Sequence, residues 1–246
     1  MASKMRIINL VLVFIFSIPL AAYSLSIADV HKEYIQGNYE EAIRIVKNLR
    51  ESDETLYCSG LSHIKIGNYS KARISLRRLL RRFPESSFYD PGMVKIADTY
   101  FLQKDYSRAK ELYLEIEQRS PSGDFMPVVL LRLAQITSRQ GKWDERSKYI
   151  RRIKSKYPKA SEMKFVKVLE ALGDFFTIQV GAFSVRKNAL LLVEELKEEY
   201  SPYIVKEKKG SYILYKVRVG RFKNRYDAQK VWSELLNQGY PARIYP

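Results

Sequence analysis

The chain has 246 residues, is 46% hydrophobic and 28% charged, and carries a formal net charge of +16. Those proportions fit a globular protein of one or two folded units. A single cysteine, Cys58, excludes an internal disulfide framework, two isolated histidines exclude a His-built metal site, and the surplus of cations points to polyanionic partners.

Residues 1–24 have the order of a secretory signal peptide: Lys4 and Arg6, an almost wholly apolar run from Ile7 to Leu20, then small residues around Ala21-Ala22-Tyr23-Ser24. The run is short for a membrane span and has Pro19 near its end. Cleavage after Ala22 or Ser24 is therefore expected, with an uncleaved inner-membrane anchor as the alternative. There is no cysteine at the cleavage region to carry a lipid. Export to the periplasm or cell envelope of a bacterium would turn attention from nucleic acid to envelope polyanions.

Residues 25–172 repeat a helical signal. Gly37-Asn38-Tyr39 with Ala42 recurs as Gly67-Asn68-Tyr69 with Ala72, as Lys104-Asp105-Tyr106 with Ala109, and as Gly141-Lys142-Trp143 with Arg146. Pro84, Pro121 and Pro158 fall at one fixed distance after the last three aromatics. Each unit reads as two antiparallel helices: a tight turn, an aromatic that opens the second helix, a small residue one turn later for close approach, and a proline stop. The pattern resembles the tetratricopeptide repeat, with Leu56 and Gly60, Met93 and Ala97, and Leu130 and Ala134 in that family's large and small positions. About four repeats are covered. The fourth departs from the family because Arg146 replaces the small residue, and Ala160 to Leu172 is expected to form a capping helix. Such arrays hold a protein partner or peptide on one face.

The basic runs Arg73-Arg77-Arg78-Arg81-Arg82 and Arg146-Lys148-Arg151-Arg152-Lys154-Lys156 read as solvated outer faces. His31 stands alone, His63 falls at a helix-packing position, and Cys58 reads as a small buried hydrophobe.

Residues 173–246 state one pattern twice at a constant offset. Val180, Gly181, Phe183, Ala189 and Leu196 recur as Val219, Gly220, Phe222, Ala228 and Leu235. Phe175 to Val180 alternates as a strand, Lys187 to Tyr200 has helical spacing, and Tyr203 to Lys206 is a short strand. Lys208 to Ser211 reads as a hairpin turn, Ser211 to Val219 as a third strand, Asp227 to Asn237 as a helix and Ala242 to Tyr245 as the last strand. Helices should cover the face with Phe176, Ile178, Val180, Tyr215, Val217 and Val219. The open face would then carry Thr177, Gln179, Leu214, Lys216, Arg218, Arg243 and Tyr245, joined by Ile204 and Lys206.

Phe176-x-x-Gln179-Val180-Gly181-Ala182-Phe183 with Asn188-Ala189, and Tyr215-x-Val217-x-Val219-Gly220-x-Phe222 with Ala228, resemble the SPOR (sporulation-related repeat) domain. The expected fold class is thus multidomain: an all-α tetratricopeptide-like helical repeat array followed by a small α+β βαββαβ (SPOR, RNP-like) domain. The resemblance implies binding to peptidoglycan, favouring denuded glycan strands typical of division septa. Its recurring strand-one glutamine falls on Gln179 and its strand-three basic residue on Arg218. The expected glycan-binding set is Thr177, Gln179, Lys216, Arg218, Arg243 and Tyr245. Gly181 and Gly220 are expected to turn the chain after a strand, and Phe183 and Phe222 to pack between helix and sheet. Arg221 stands where the family often has proline and is expected to leave the open face untouched.

The functional expectation is an exported, non-enzymatic peptidoglycan-binding protein whose repeats scaffold an unidentified protein partner, with no cofactor, no metal and no nucleic acid. Two alternatives differ in class. A wall-anchored scaffold of outer-membrane assembly uses the same parts, and a basic βαββαβ sheet is also used for single-stranded RNA. Aromatic residues at central open-face positions of the first and third strands, which base stacking needs, are missing.

Overall fold

The computed structural model describes residues 25–246; the expected signal segment lies outside the described residues. Among the described residues no helix is long and apolar enough to cross a membrane. Eight helices form four successive hairpins: α1 (Ile27–Gln36) with α2 (Tyr39–Asn48), α3 (Asp53–Lys65) with α4 (Tyr69–Arg82), α5 (Tyr89–Leu102) with α6 (Tyr106–Arg119), and α7 (Met126–Arg139) with α8 (Trp143–Lys156). A ninth helix, α9 (Met163–Ala171), caps the stack.

The repeated residues do what close helix packing requires of them. Ala42, Ala72 and Ala109 have no exposed surface. At Gly60 a Cβ would come within 2.5 Å of Leu76 Cγ, so α3 and α4 approach too closely for any side chain there. The turn between the helices of a pair needs a left-handed residue, and Gly37, Gly67 and Gly141 supply it with φ of +89°, +76° and +72°. The third pair puts Lys104 in that position at φ +64°, a strain of roughly 1–2 kcal/mol for a residue with a Cβ. The central core joins α4 to α9 through residues such as Leu76, Ala97, Tyr113, Leu130 and Ile153. Inside it the Tyr113 hydroxyl donates to Asp98 Oδ1 at 2.7 Å, and Arg132 Nε donates to the same oxygen at 3.1 Å. Burial and that carboxylate push the Tyr113 hydroxyl pKa well above its ordinary value.

Two expectations for the array change. The basic runs are not simply solvated. Arg73 donates to Thr99 and Gln103 of the next pair, Arg77 to Tyr100, and Arg78 and Arg82 hold Glu51. Arg146 is buried, at 5% exposure. Helices stacked side by side put the outer row of one pair against the inner row of the next, which a single-helix reading does not see. His63 and Cys58 are buried as expected.

The chain leaves α9 through Gly173 and enters a four-stranded antiparallel sheet, β1 (Phe176–Phe183), β2 (Pro202–Lys209), β3 (Tyr212–Phe222) and β4 (Arg243–Tyr245), ordered β2-β3-β1-β4. Helices α10 (Arg186–Leu196) and α11 (Arg225–Asn237) lie over one face. That face buries Ile178, Val180, Val217, Val219, Ala189, Leu196 and Leu235. Gly181 and Gly220 do not follow strands: they lie inside β1 and β3, Gly181 next to a register shift in the β1–β3 ladder. A Cβ at Gly181 would sit 2.7 Å from the Phe183 ring, so the glycine makes room for the ring that packs on the core. β2 and β3 are longer than expected, and their hairpin turn shrinks to Gly210 and Ser211.

The fourth repeat is a complete helix pair whose two departures from the pattern form the joint to the sheet. Trp143, in the place of Tyr39, Tyr69 and Tyr106, packs against Phe176 at 5.2 Å between centroids with the rings tilted by 59°, and its indole N–H donates to the Lys223 carbonyl at 3.1 Å. Arg146, in the place of the alanines, donates to the carbonyls of Gly173 at 2.8 Å and Leu169 at 3.4 Å and pairs with Asp174.

Arg146→Ala restores the repeat pattern yet strips the Gly173 carbonyl of its donor and leaves the Leu169 carbonyl with the Leu172 N–H alone. It should destabilise the chain by about 1–3 kcal/mol and expose residues 172–175 to protease, with Arg146→Lys failing to rescue because it lacks the fork; thermal melts and limited proteolysis check this. Burial pushes the Cys58 thiol up to about 11. A thiol-reactive dye should therefore leave the folded protein unlabelled at pH 8 and label it fully in denaturant.

Candidate functional site

The strand register lines up one side chain from each strand on the face without helices. Arg243 pairs with Gln179, Gln179 with Arg218, and Arg218 with Tyr203, so the row Arg243–Gln179–Arg218–Tyr203 crosses the whole sheet. At about 4.8 Å per strand the row is about 14 Å long. Tyr245 pairs with Thr177, and Lys216 lies two residues along β3 from Arg218 on the same face.

The row is not an open plain. Arg218 is 6% exposed and its guanidinium lies over the Tyr245 ring, 5.2 Å from the centroid. No carboxylate pairs with Arg218 among the described residues. Two neighbouring polar atoms in the row, Arg218 Nε and Gln179 Oε1, are buried without a hydrogen-bond partner. Such atoms cost roughly 1–3 kcal/mol each when unsatisfied, so both are open to completion by water or by a ligand.

The six residues expected to bind thus divide. Gln179, Arg218, Arg243 and Tyr245 come together around the row. Thr177 does not face solvent: it is 1% exposed, its hydroxyl donates to the Val219 carbonyl at 3.2 Å, and it accepts from the Tyr203 hydroxyl at 2.9 Å. It holds Tyr203 in place. Lys216 is held by an ion pair with Glu207, and that hydrogen bond, with the Lys216 charge, keeps the Glu207 carboxyl below its ordinary range. Stability from this pair is present above the unfolded carboxylate pKa and is lost as pH falls through the lowered one; both groups reach solvent, so it is small.

The second strand presents its side chains to the faces opposite those expected. Ile204 pairs with Val217 and Lys206 with Tyr215, both on the helix-covered side, and Ile204 packs on that core. Tyr203, Val205 and Glu207 occupy the bare face instead. A one-residue slip inverts every side chain of a strand, and β2 has apolar and polar residues on both sides, so its alternation carries no signal. Arg221 also departs from expectation: its guanidinium lies 5.3 Å from the Tyr203 ring and 5.1 Å from Phe175, at the border of the bare face. Among the described residues no group of His, Cys, Asp or Glu side chains is placed to hold a metal.

Residues 172–245 match the family model of the SPOR domain, and residues 54–86 and 92–122 match the tetratricopeptide repeat. No curated protein matches the chain. Among solved structures, a tetratricopeptide repeat protein from Parabacteroides merdae is similar at 16% identity, over 74% of this chain and 68% of that one, with a TM-score of 0.49. PilW, a widely conserved type IV pilus biogenesis factor, is similar at 16% identity, over 57% of this chain and 64% of its own, with a TM-score of 0.49. PilF of Pseudomonas aeruginosa reaches 18% identity over 61% of this chain and 69% of its own, with a TM-score of 0.44. The chain therefore carries a SPOR domain at residues 172–245, preceded by tetratricopeptide repeats.

Proposed function

We propose that this chain is a non-enzymatic envelope protein that binds peptidoglycan through the bare face of its SPOR sheet, favouring glycan strands stripped of stem peptides. Its repeats would carry a protein partner to that site. The observation that supports this most is the central row, with an unpaired arginine beside a glutamine, each with an unsatisfied buried polar atom. Removing a stem peptide frees the lactyl carboxylate of each muramic acid, so the bare strand is a regular polyanion. Arg218 and Arg243 would take carboxylates through the planar fork, Gln179 would bond acetamido or hydroxyl groups, and Tyr203 and Tyr245 would flank a sugar ring. Thr177 acts behind them by positioning Tyr203. Septal placement follows where such stripped strands occur, and the expected signal segment would deliver the chain to that compartment.

Arg218→Met and Gln179→Met keep the volume of each stem while removing its polar end. Each should weaken sedimentation of the full chain with amidase-treated sacculi by roughly 10–100-fold, with melting temperature held. Equal binding by wild type and both variants, or equal binding to intact and treated sacculi, would contradict the reading. Preferential binding to single-stranded RNA would do the same.

Glu207 competes with the ligand for Lys216. Glu207→Gln should raise affinity for treated sacculi a few-fold while changing stability by no more than about 0.5 kcal/mol, because the exposed pair is worth little to the fold. A fall in affinity would show that Lys216 works only as part of the pair.

A further inference from the structure

We propose that the cleft between the repeats and the SPOR domain is a second anion subsite, shared by both, which holds a further carboxylate of the same glycan strand. The inference rests on the preceding reading of the sheet face. The cleft has a volume of about 710 Å3. Lys104 and Tyr106, at the turn into α6, and Arg139, at the end of α7, form its repeat wall; Arg225 and Trp232 of α11 form the opposite wall. Arg243 and Tyr245 line the cleft and also stand beside Gln179 and Thr177 on the sheet, so the two surfaces are continuous.

The chemistry of the walls is one-sided. Lys104, Arg139, Arg225 and Arg243 form no ion pair among the described residues. The one acidic side chain in the lining, Asp105, accepts the Arg108 backbone N–H at 3.2 Å and lies 3.5 Å from the Arg108 guanidinium, so its charge is already engaged. Four cations that line one cleft and form no ion pair repel one another, and an anion placed among them relieves that repulsion. The Arg139 guanidinium lies over the Tyr106 ring, 5.4 Å from the centroid, a cation–π contact that leaves its N–H groups for a carboxylate. The indole N–H of Trp232 donates to the Ala242 carbonyl at 2.9 Å and holds a half-buried ring against the cleft, a surface suited to a sugar face.

Lys104 adds an independent sign. At the matching turn the other three pairs have Gly37, Gly67 and Gly141, which adopt the left-handed conformation without strain. Of the four turns this one alone places a strained lysine there; the Gly141 turn, which also faces the SPOR domain, keeps its glycine, where a Cβ would meet the Phe176 ring at 3.0 Å. The sequence gives up stability at that position to present a charge to the cleft, as strained residues at ligand sites do.

The test separates this subsite from the sheet face. Full-length Lys104→Gly, Arg139→Gln, their double variant and Arg218→Met are compared with wild type for binding to amidase-treated sacculi at two salt concentrations. Lys104→Gly should melt no lower than wild type, because glycine relieves the turn, yet bind about 10-fold more weakly. The double variant should also show a shallower salt dependence, because fewer cations meet the polyanion. Wild-type binding by the double variant, with binding lost in Arg218→Met, would overturn the cleft subsite and leave the sheet-face reading standing. Wild-type binding by Arg218→Met would overturn that reading and the subsite with it.

Discussion

The arrangement of the two halves depends on one buried guanidinium. Arg146 takes up the carbonyls at the end of α9 and of Gly173 and pairs with Asp174, at the point where the chain passes from helices to sheet. A buried charge is costly unless its donors are used, so the side chain is held only while those groups stay close. That requirement fixes the exit direction of the chain. Trp143 then seats Phe176 and the Lys223 carbonyl, which sets the rotation of the sheet against the last helix pair. The cleft, and the proximity of β4 to α7, follow from these two contacts.

The duplicated Val-Gly-x-Phe pattern and the helix-pair spacing were legible because each imposes a period on residues that share one burial environment. Phe176, Ile178, Val217 and Val219 are all buried where alternation places them. β2 was not legible for the opposite reason: Tyr203, Ile204 and Val205 in succession offer no alternation, and only pairing with β3 decides which of them faces the helices. Arg146 resisted reading from the other side. An arginine in a helix near lysines and arginines looks like a solvated face, and nothing local to α8 reveals that α9 and the linker close over it. Its departure from the alanine of the other repeats was the available signal, and the structure gives that departure a partner.

The bare face differs from an ordinary solvated sheet face. A solvated row of arginine and glutamine would leave every polar atom to water. Here Tyr203 and Tyr245 shelter the row, Thr177 anchors one of those rings, and Arg218 and Gln179 keep buried atoms unmatched. Sheltering lowers the local dielectric, so a carboxylate that reaches Arg218 meets a stronger attraction than it would at an exposed arginine. The distributed positive charge of the chain adds a long-range pull toward a polyanion but no selectivity. Selectivity would come from the row.

The most direct test of that assignment is an NMR titration of the full chain with a short glycan oligosaccharide lacking stem peptides, followed through the side-chain signals of Arg218 and Gln179. The account predicts that both shift together and saturate at one concentration, with Tyr203 and Tyr245 ring signals moving alongside. Saturable shifts confined to the repeats, or none at Arg218 and Gln179, would contradict it.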